Sequence, residues 1–192
     1  QLACIAITIA ILLCLWLKPA WSDRVITILL AASWAWVGWA FLHLRFAPIH
    51  WVANWYAVAF FLQALLLFIY GISRRGLEFE FGNPVRAVIG VILLLGALLV
   101  MPATAYLTGR EWMQAELFAM TPDATALATL GLLLLAKGHV AIWLGAIPVA
   151  WCFISGATLW ALEAPEAMIL PAAAILTITL MLMPTRRREL AN

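Results

Sequence analysis

The chain has 192 residues, of which 67% are hydrophobic and only 10% charged, and a formal net charge of +2. A soluble domain carries about a quarter charged residues and about half apolar ones, so this composition excludes water as the solvent and calls for a bilayer. The small charge, dispersed among loops, excludes a nucleic-acid-binding surface, and apolar stretches separated by short polar breaks read as one domain, residues 1–192.

A spanning helix needs about 20 mostly apolar residues, within a range of about 17–25. In chain order, Leu2–Leu17, Val25–Leu42, Trp51–Ile72, Ala87–Leu107, Val140–Leu162 and Ala167–Met183 approach or meet that requirement. Leu2–Leu17 has no basic segment before it and no small-residue cleavage site after it. It therefore reads as a retained span, which a few residues upstream of Gln1 would complete. A seventh stretch, Pro122–Ala136, is shorter, about 22 Å as a helix. Thr121 suits its N-cap, Pro122 its first position and Asp123 the positive end of its dipole, with Lys137-Gly138 as its stop.

Basic residues decide whether this short stretch crosses. If it does, Lys18, Arg24, Arg74, Arg75, Arg86, Lys137, Arg186, Arg187 and Arg188 share one side, and Arg45 and Arg110 the other. If it turns back, the two sides become nearly equal. The lopsided distribution is the one insertion selects. The expectation is an all-α, polytopic transmembrane helical bundle of about seven spans with a cytoplasmic C-terminus.

The middle of each proposed span lacks Asp, Glu, Lys and Arg. Intramembrane charge is kept for proton relays, ion coupling and voltage sensing, so ion-driven transport is disfavoured. The chain also lacks an H-E-x-x-H, a P-loop and a paired intramembrane aspartate. Cys4, Cys14 and Cys152 follow no metal or redox spacing. No cofactor, metal or catalytic residue is expected, and the chain is not expected to be an enzyme. Ser33, Asn54, Gln63, Thr104, Ser155, Thr158, Thr177 and Thr179 suit interhelical hydrogen bonds. Asn54 and Gln63, nine residues apart, fall on opposite faces of one helix. Gly90 with Gly96, and Gly145 with Ser155 and Gly156, suit close helix packing. Pro102, Pro148 and Pro171 each free a backbone carbonyl.

The richest region is the hairpin Trp34–Gln63. Trp39 and His43, His50 and Asn54, and Trp51 and Trp55 are each four residues apart and share a helix face. Together they read as an aromatic belt at the outer interface. The sharper alternative is a ligand pocket walled by Trp36, Trp39, Trp51 and Trp55, with His43, His50 and Asn54 as polar contacts. Axial haem ligation by His43 and His50 is a further alternative, disfavoured because the pair flanks a short turn instead of facing across a bundle. In Gly109–Asp123, Trp112 with Glu116 and Met113 with Leu117 suggest an amphipathic helix on the outer surface, with Asp123 at its end, suited to docking a partner.

Three stretches, W-A-W-V-G-W-A-F at Trp34–Phe41, Ile49–Leu67, and Gly109–Gly131 with its P-D-x-T element at Pro122–Thr125, resemble domain of unknown function 6064, a family of bacterial multi-pass proteins. The resemblance implies a bacterial inner-membrane location and brings no activity. The functional expectation is a non-catalytic accessory or scaffold subunit of a larger membrane complex, with the lipid bilayer and other membrane subunits as partners. The alternatives are a permease for a small neutral or lipophilic substrate and, lower, a haem- or quinone-binding protein.

Overall fold

The computed structural model describes residues 2–73, 76–100, 117–137 and 140–183. Among these the architecture is all-helical. Helix α1 is Leu2–Leu17, and α2 is Ser22–Trp36, which continues without a break as a π-helix over Val37–Phe46. Next come α3 (Ala53–Ile72) and α4 (Pro84–Leu95, extended by a π-helical turn at Gly96–Val100). The series closes with α5 (Pro122–Leu135), α6 (Val140–Leu144), α7 (Ala146–Ala161) and α8 (Ile169–Leu182). Within the described residues the apolar stretches of the sequence are helical, the one at Val140–Leu162 being divided at Gly145. Three runs, Ser22–Phe46, Ala53–Ile72 and Ala141–Ala161, are long and apolar enough to cross a membrane; Leu2–Leu17, Pro84–Leu99, Pro122–Leu135 and Ile169–Leu182 are shorter.

Local chemistry sets the boundaries. Asn83 caps α4, its Oδ1 accepting the Val85 and Arg86 amides at 3.0 and 3.1 Å, with Pro84 in the first position. Helix α5 also starts on proline, but Thr121 does not cap it, because its hydroxyl points back to the Leu117 carbonyl at 3.4 Å. The Thr125 hydroxyl does the tying instead. It accepts the Ala119 amide at 3.1 Å and donates to the Thr121 carbonyl at 2.8 Å, holding a turn in which Ala119 takes a φ of 60°. Pro171 sits in the first turn of α8, where an amide has no helical acceptor, so it imposes no kink there.

The shortest of the apolar stretches is the centre of the molecule. From Ala124 to Leu135 every residue of α5 is buried, against α4, α7 and α8 and against the π-helical turn after α4. A helix that is apolar all round finds its minimum when surrounded by other helices. Small residues let the neighbours close in. A Cβ added to Gly131 would lie 2.6 Å from the Gly90 carbonyl oxygen, and one added to Gly90 would lie 2.8 Å from that of Gly131. Backbone thus meets backbone between α4 and α5. Gly96, by contrast, has open space around it and makes no close approach.

The two ends of α5 meet different partners. At its start, the Cys4 thiol of α1 donates to the Ala119 carbonyl at 3.5 Å. At its end, Phe79 and Ala136 form an antiparallel bridge, with Glu80 N donating to Leu135 O at 2.7 Å and Lys137 N to Glu78 O at 2.8 Å. Glu80 and Lys137 form an ion pair across this strap. The Lys137 ammonium holds the Glu80 carboxyl below its ordinary value, and Glu80 raises Lys137. Arg86 reaches from α4 to the end of α8. Its guanidinium donates to the carbonyls of Leu180 (2.9 Å), Met181 (3.3 Å) and Met183 (2.7 Å), which a helix C-terminus leaves without amide partners.

Gly131→Ala should force α4 and α5 apart and cost about 1–3 kcal/mol, the usual range for overpacking, read as a lower unfolding midpoint in detergent. Gly96→Ala, made in open space, should leave that midpoint unchanged or slightly raised.

Candidate functional site

The tryptophans expected to wall a pocket point away from the bundle. Trp36, Trp39, Trp51 and Trp55 are 57%, 49%, 76% and 67% exposed, an arrangement that fits a belt and not a set of inward walls. Trp36 does border a cleft of about 230 Å³ with Phe41, Arg45 and Met120. His43 lies beside Trp39, ring centroids 5.1 Å apart, and its Nδ1 stands 3.0 Å from Asn54 Oδ1, a geometry in which Nδ1–H donates. His50 stacks on Phe46 at 5.9 Å. The two histidines therefore have separate partners and do not face one another. Trp112 and Glu116 lie outside the described residues, as do Pro102, Thr104, Arg110, Glu111 and His139. The part of their segment that is described departs from a surface helix, since Leu117, Phe118 and Ala119 are buried.

Asp123 is where the structure brings unexpected residues together. Its Oδ1 accepts the Trp151 indole N–H at 2.7 Å and its Oδ2 accepts the Ser155 hydroxyl at 2.9 Å. Both donors sit within α7, and Ser155 is six residues short of the helix end at Ala161, about 9 Å along the axis. A carboxylate expected on an outer loop is thus drawn beside the interior of a long apolar helix. It remains paired, one strong donor to each oxygen, and locks the start of α5 onto α7.

Trp151 extends the cluster. It meets Tyr56 and Phe60 of α3 edge-on, with centroids 5.5 and 5.1 Å apart, and Phe60 packs on Trp34 of α2 at 4.3 Å. The fully buried Trp34 donates its indole N–H to the Thr129 hydroxyl on α5 at 2.9 Å, and Thr129 donates to the Thr125 carbonyl at 2.7 Å. Helices α2, α3, α5 and α7 are joined through Asp123, Trp151, Phe60, Trp34 and Thr129. The P-D-x-T element acquires a physical reading here: proline starts the central helix, aspartate fastens it to α7, and threonine ties the turn before it.

One turn further along α3 lies Gln63, fully buried as its spacing from the exposed Asn54 implies. Its Nε2 donates to the Leu144 carbonyl at 2.9 Å. That carbonyl is the one Pro148, four residues on, cannot serve, because proline has no amide hydrogen. The chain breaks at Gly145 between α6 and α7, and Gln63 supplies the missing donor from a neighbouring helix. Among the described residues no group of three His, Cys, Asp or Glu side chains is placed to hold a metal ion.

Gln63→Leu should destabilise the bundle by about 1–3 kcal/mol by leaving the Leu144 carbonyl buried and unpaired. Pro148→Ala restores an amide for that carbonyl, so the same Gln63→Leu change should cost far less in its presence. A double-mutant cycle of unfolding in detergent reads the difference, and additive losses would show that the carbonyl does not carry the effect.

No curated protein and no solved structure gives a significant match. The profile of the family of unknown function DUF6064 matches residues 1–192, the whole chain, and the fold and P-D-x-T geometry described above are therefore those of a member of that family.

Proposed function

We propose that the chain is a seven-span scaffold of the bacterial inner membrane, a non-catalytic accessory subunit of a larger membrane complex with its C-terminus on the cytoplasmic side. The observation that carries this reading is the complete burial of α5 from Ala124 to Leu135. The axis of the bundle, where a substrate path would run, is filled by a helix. Its polar groups are tied up in structure: Asp123 with Trp151 and Ser155, Thr129 with Trp34, and Gln63 with the Leu144 carbonyl.

Support for seven crossings comes from the order of contacts. The start of α1 meets the turn before α5, the strap at Glu78–Glu80 meets the end of α5, and Arg86 meets the end of α8. Each is the neighbour that alternating directions require, and the residues at the strap end include Lys18, Arg24, Arg86 and Lys137, the basic side of the positive-inside split. The exposed apolar side chains, Trp39, Trp55, Phe61, Leu65 and Phe68 among them, suit lipid and helices of other subunits. The permease reading rests on the break at Gly145 and Pro148, and a path would then have to open beside α5.

The test is purification from native membranes in mild detergent after crosslinking. The scaffold reading expects one protein partner in constant ratio. A chain that runs alone in every detergent and crosslinks only to lipid contradicts it, and substrate uptake by proteoliposomes holding the chain alone would replace it with the permease.

A further inference from the structure

Among the described residues the exposed tryptophans gather at the two ends of the bundle. Trp16, Trp21 and Trp143 mark the end that carries the strap. Trp16 and Trp21 flank the turn between α1 and α2, and Trp21 borders one cleft with Tyr70 and Glu78. Trp143 stands six residues after Lys137, whose amide donates to the Glu78 carbonyl. Trp36, Trp55 and Trp160 mark the opposite end. Trp36 borders a cleft with Met120 from the turn before α5, and Trp55 follows Asn54, the partner of His43. Trp160 closes α7 beyond the Ser155 that meets Asp123. Trp39 and Trp51 lie on that same side, nearer the tip of the hairpin.

Each of the three long runs thus carries an aromatic ring towards both ends of the bundle. The pairs that bound the apolar interval most closely are Trp21 with Trp36, Trp55 with Tyr70, and Trp143 with Trp160, which are 15, 15 and 17 residues apart. These separations are about 22–26 Å of helix, and tilt or a bend at Pro148 only shortens them along a membrane normal. Between the rings the outward side chains are apolar, Val58, Leu62, Leu65 and Ile69 on α3 and Phe153 and Ile154 on α7. Aromatic rings with a polar edge settle where hydrocarbon meets headgroups, so two belts bound the hydrocarbon that the protein fits. We infer that the bundle is fitted to a bilayer with a hydrocarbon core about 22–26 Å thick, thinner than the usual core of about 30 Å. Helix length agrees by a separate route: α5 and α8 have 14 residues each, about 21 Å, short of an ordinary core and close to the thinner one. The inference rests on the membrane-spanning reading proposed above and adds its lipid partner, a bilayer of short acyl chains, in which a helix as short as α5 crosses with little mismatch.

The full chain is reconstituted into bilayers of dimyristoleoyl, dipalmitoleoyl, dioleoyl and dierucoyl phosphatidylcholine, which differ in hydrocarbon thickness and share one headgroup. Each lipid competes with brominated dioleoyl phosphatidylcholine for the protein surface, and quenching of tryptophan fluorescence reads its relative binding constant. The constant should be highest for myristoleoyl or palmitoleoyl chains and lower by about threefold or more for erucoyl chains, because each added length of mismatch carries a cost. A constant that is flat across the series, or highest for oleoyl or erucoyl chains, overturns the inference and leaves the membrane-spanning reading in place. Extraction of the chain from these bilayers by alkaline carbonate overturns both.

Discussion

A helix with no exposed face must find partners for its polar groups and room for its backbone inside the protein, and α5 is such a helix. Apolar side chains alone would not select its position if lipid surrounds the bundle, because lipid tails are as apolar as leucine. Close approach and hydrogen bonds do the selecting. Gly90 and Gly131 bring two backbones together, Trp34 reaches Thr129, and Asp123 receives Trp151 and Ser155. Thr125 and Thr129 also return hydrogen bonds to carbonyls four residues earlier, so neither hydroxyl is left unpaired in the core.

The same requirement recurs where the other helices are irregular. The break at Gly145 and Pro148 exposes a carbonyl, and Gln63 meets it from α3. The end of α8 leaves carbonyls open, and Arg86 meets three of them from α4. Residues that look like separate polar insertions in an apolar chain are thus paired with specific backbone defects in other helices. Thr177 and the Oε1 of Gln63 remain buried and without partners, and the structure gives no physical account of them.

Much of this was legible in the sequence, and the remainder was hidden for physical reasons. Apolar run length located the helices, Pro122 marked the start of α5, and the nine-residue spacing of Asn54 and Gln63 set them on opposite faces, of which the structure exposes the first and buries the second. The central place of α5 was less visible. Its small residues and its lack of a polar face were the available signals, but its length suggested a marginal span. Tryptophan could not be sorted at all: Trp36, Trp39, Trp51 and Trp55 face outward while Trp34 and Trp151 carry the interior, and side-chain type does not tell the two environments apart. Asp123 was read from its own helix end, and its partners lie 28 and 32 residues away in α7. Arg86 was counted only among the basic residues of one side, and its role at α8 depends on a contact across more than 90 residues.

The central proposal is that α5, though short, runs from one membrane face to the other as the axis of the bundle. Single cysteines at Pro48, Gly82, Lys137 and Glu163 in a background without Cys4, Cys14 and Cys152, treated with a membrane-impermeant maleimide in intact cells, test it directly. The account predicts labelling at positions 48 and 163 and protection at 82 and 137 until the membrane is opened. Labelling at 137 from the same side as 48, with 163 protected, would contradict it.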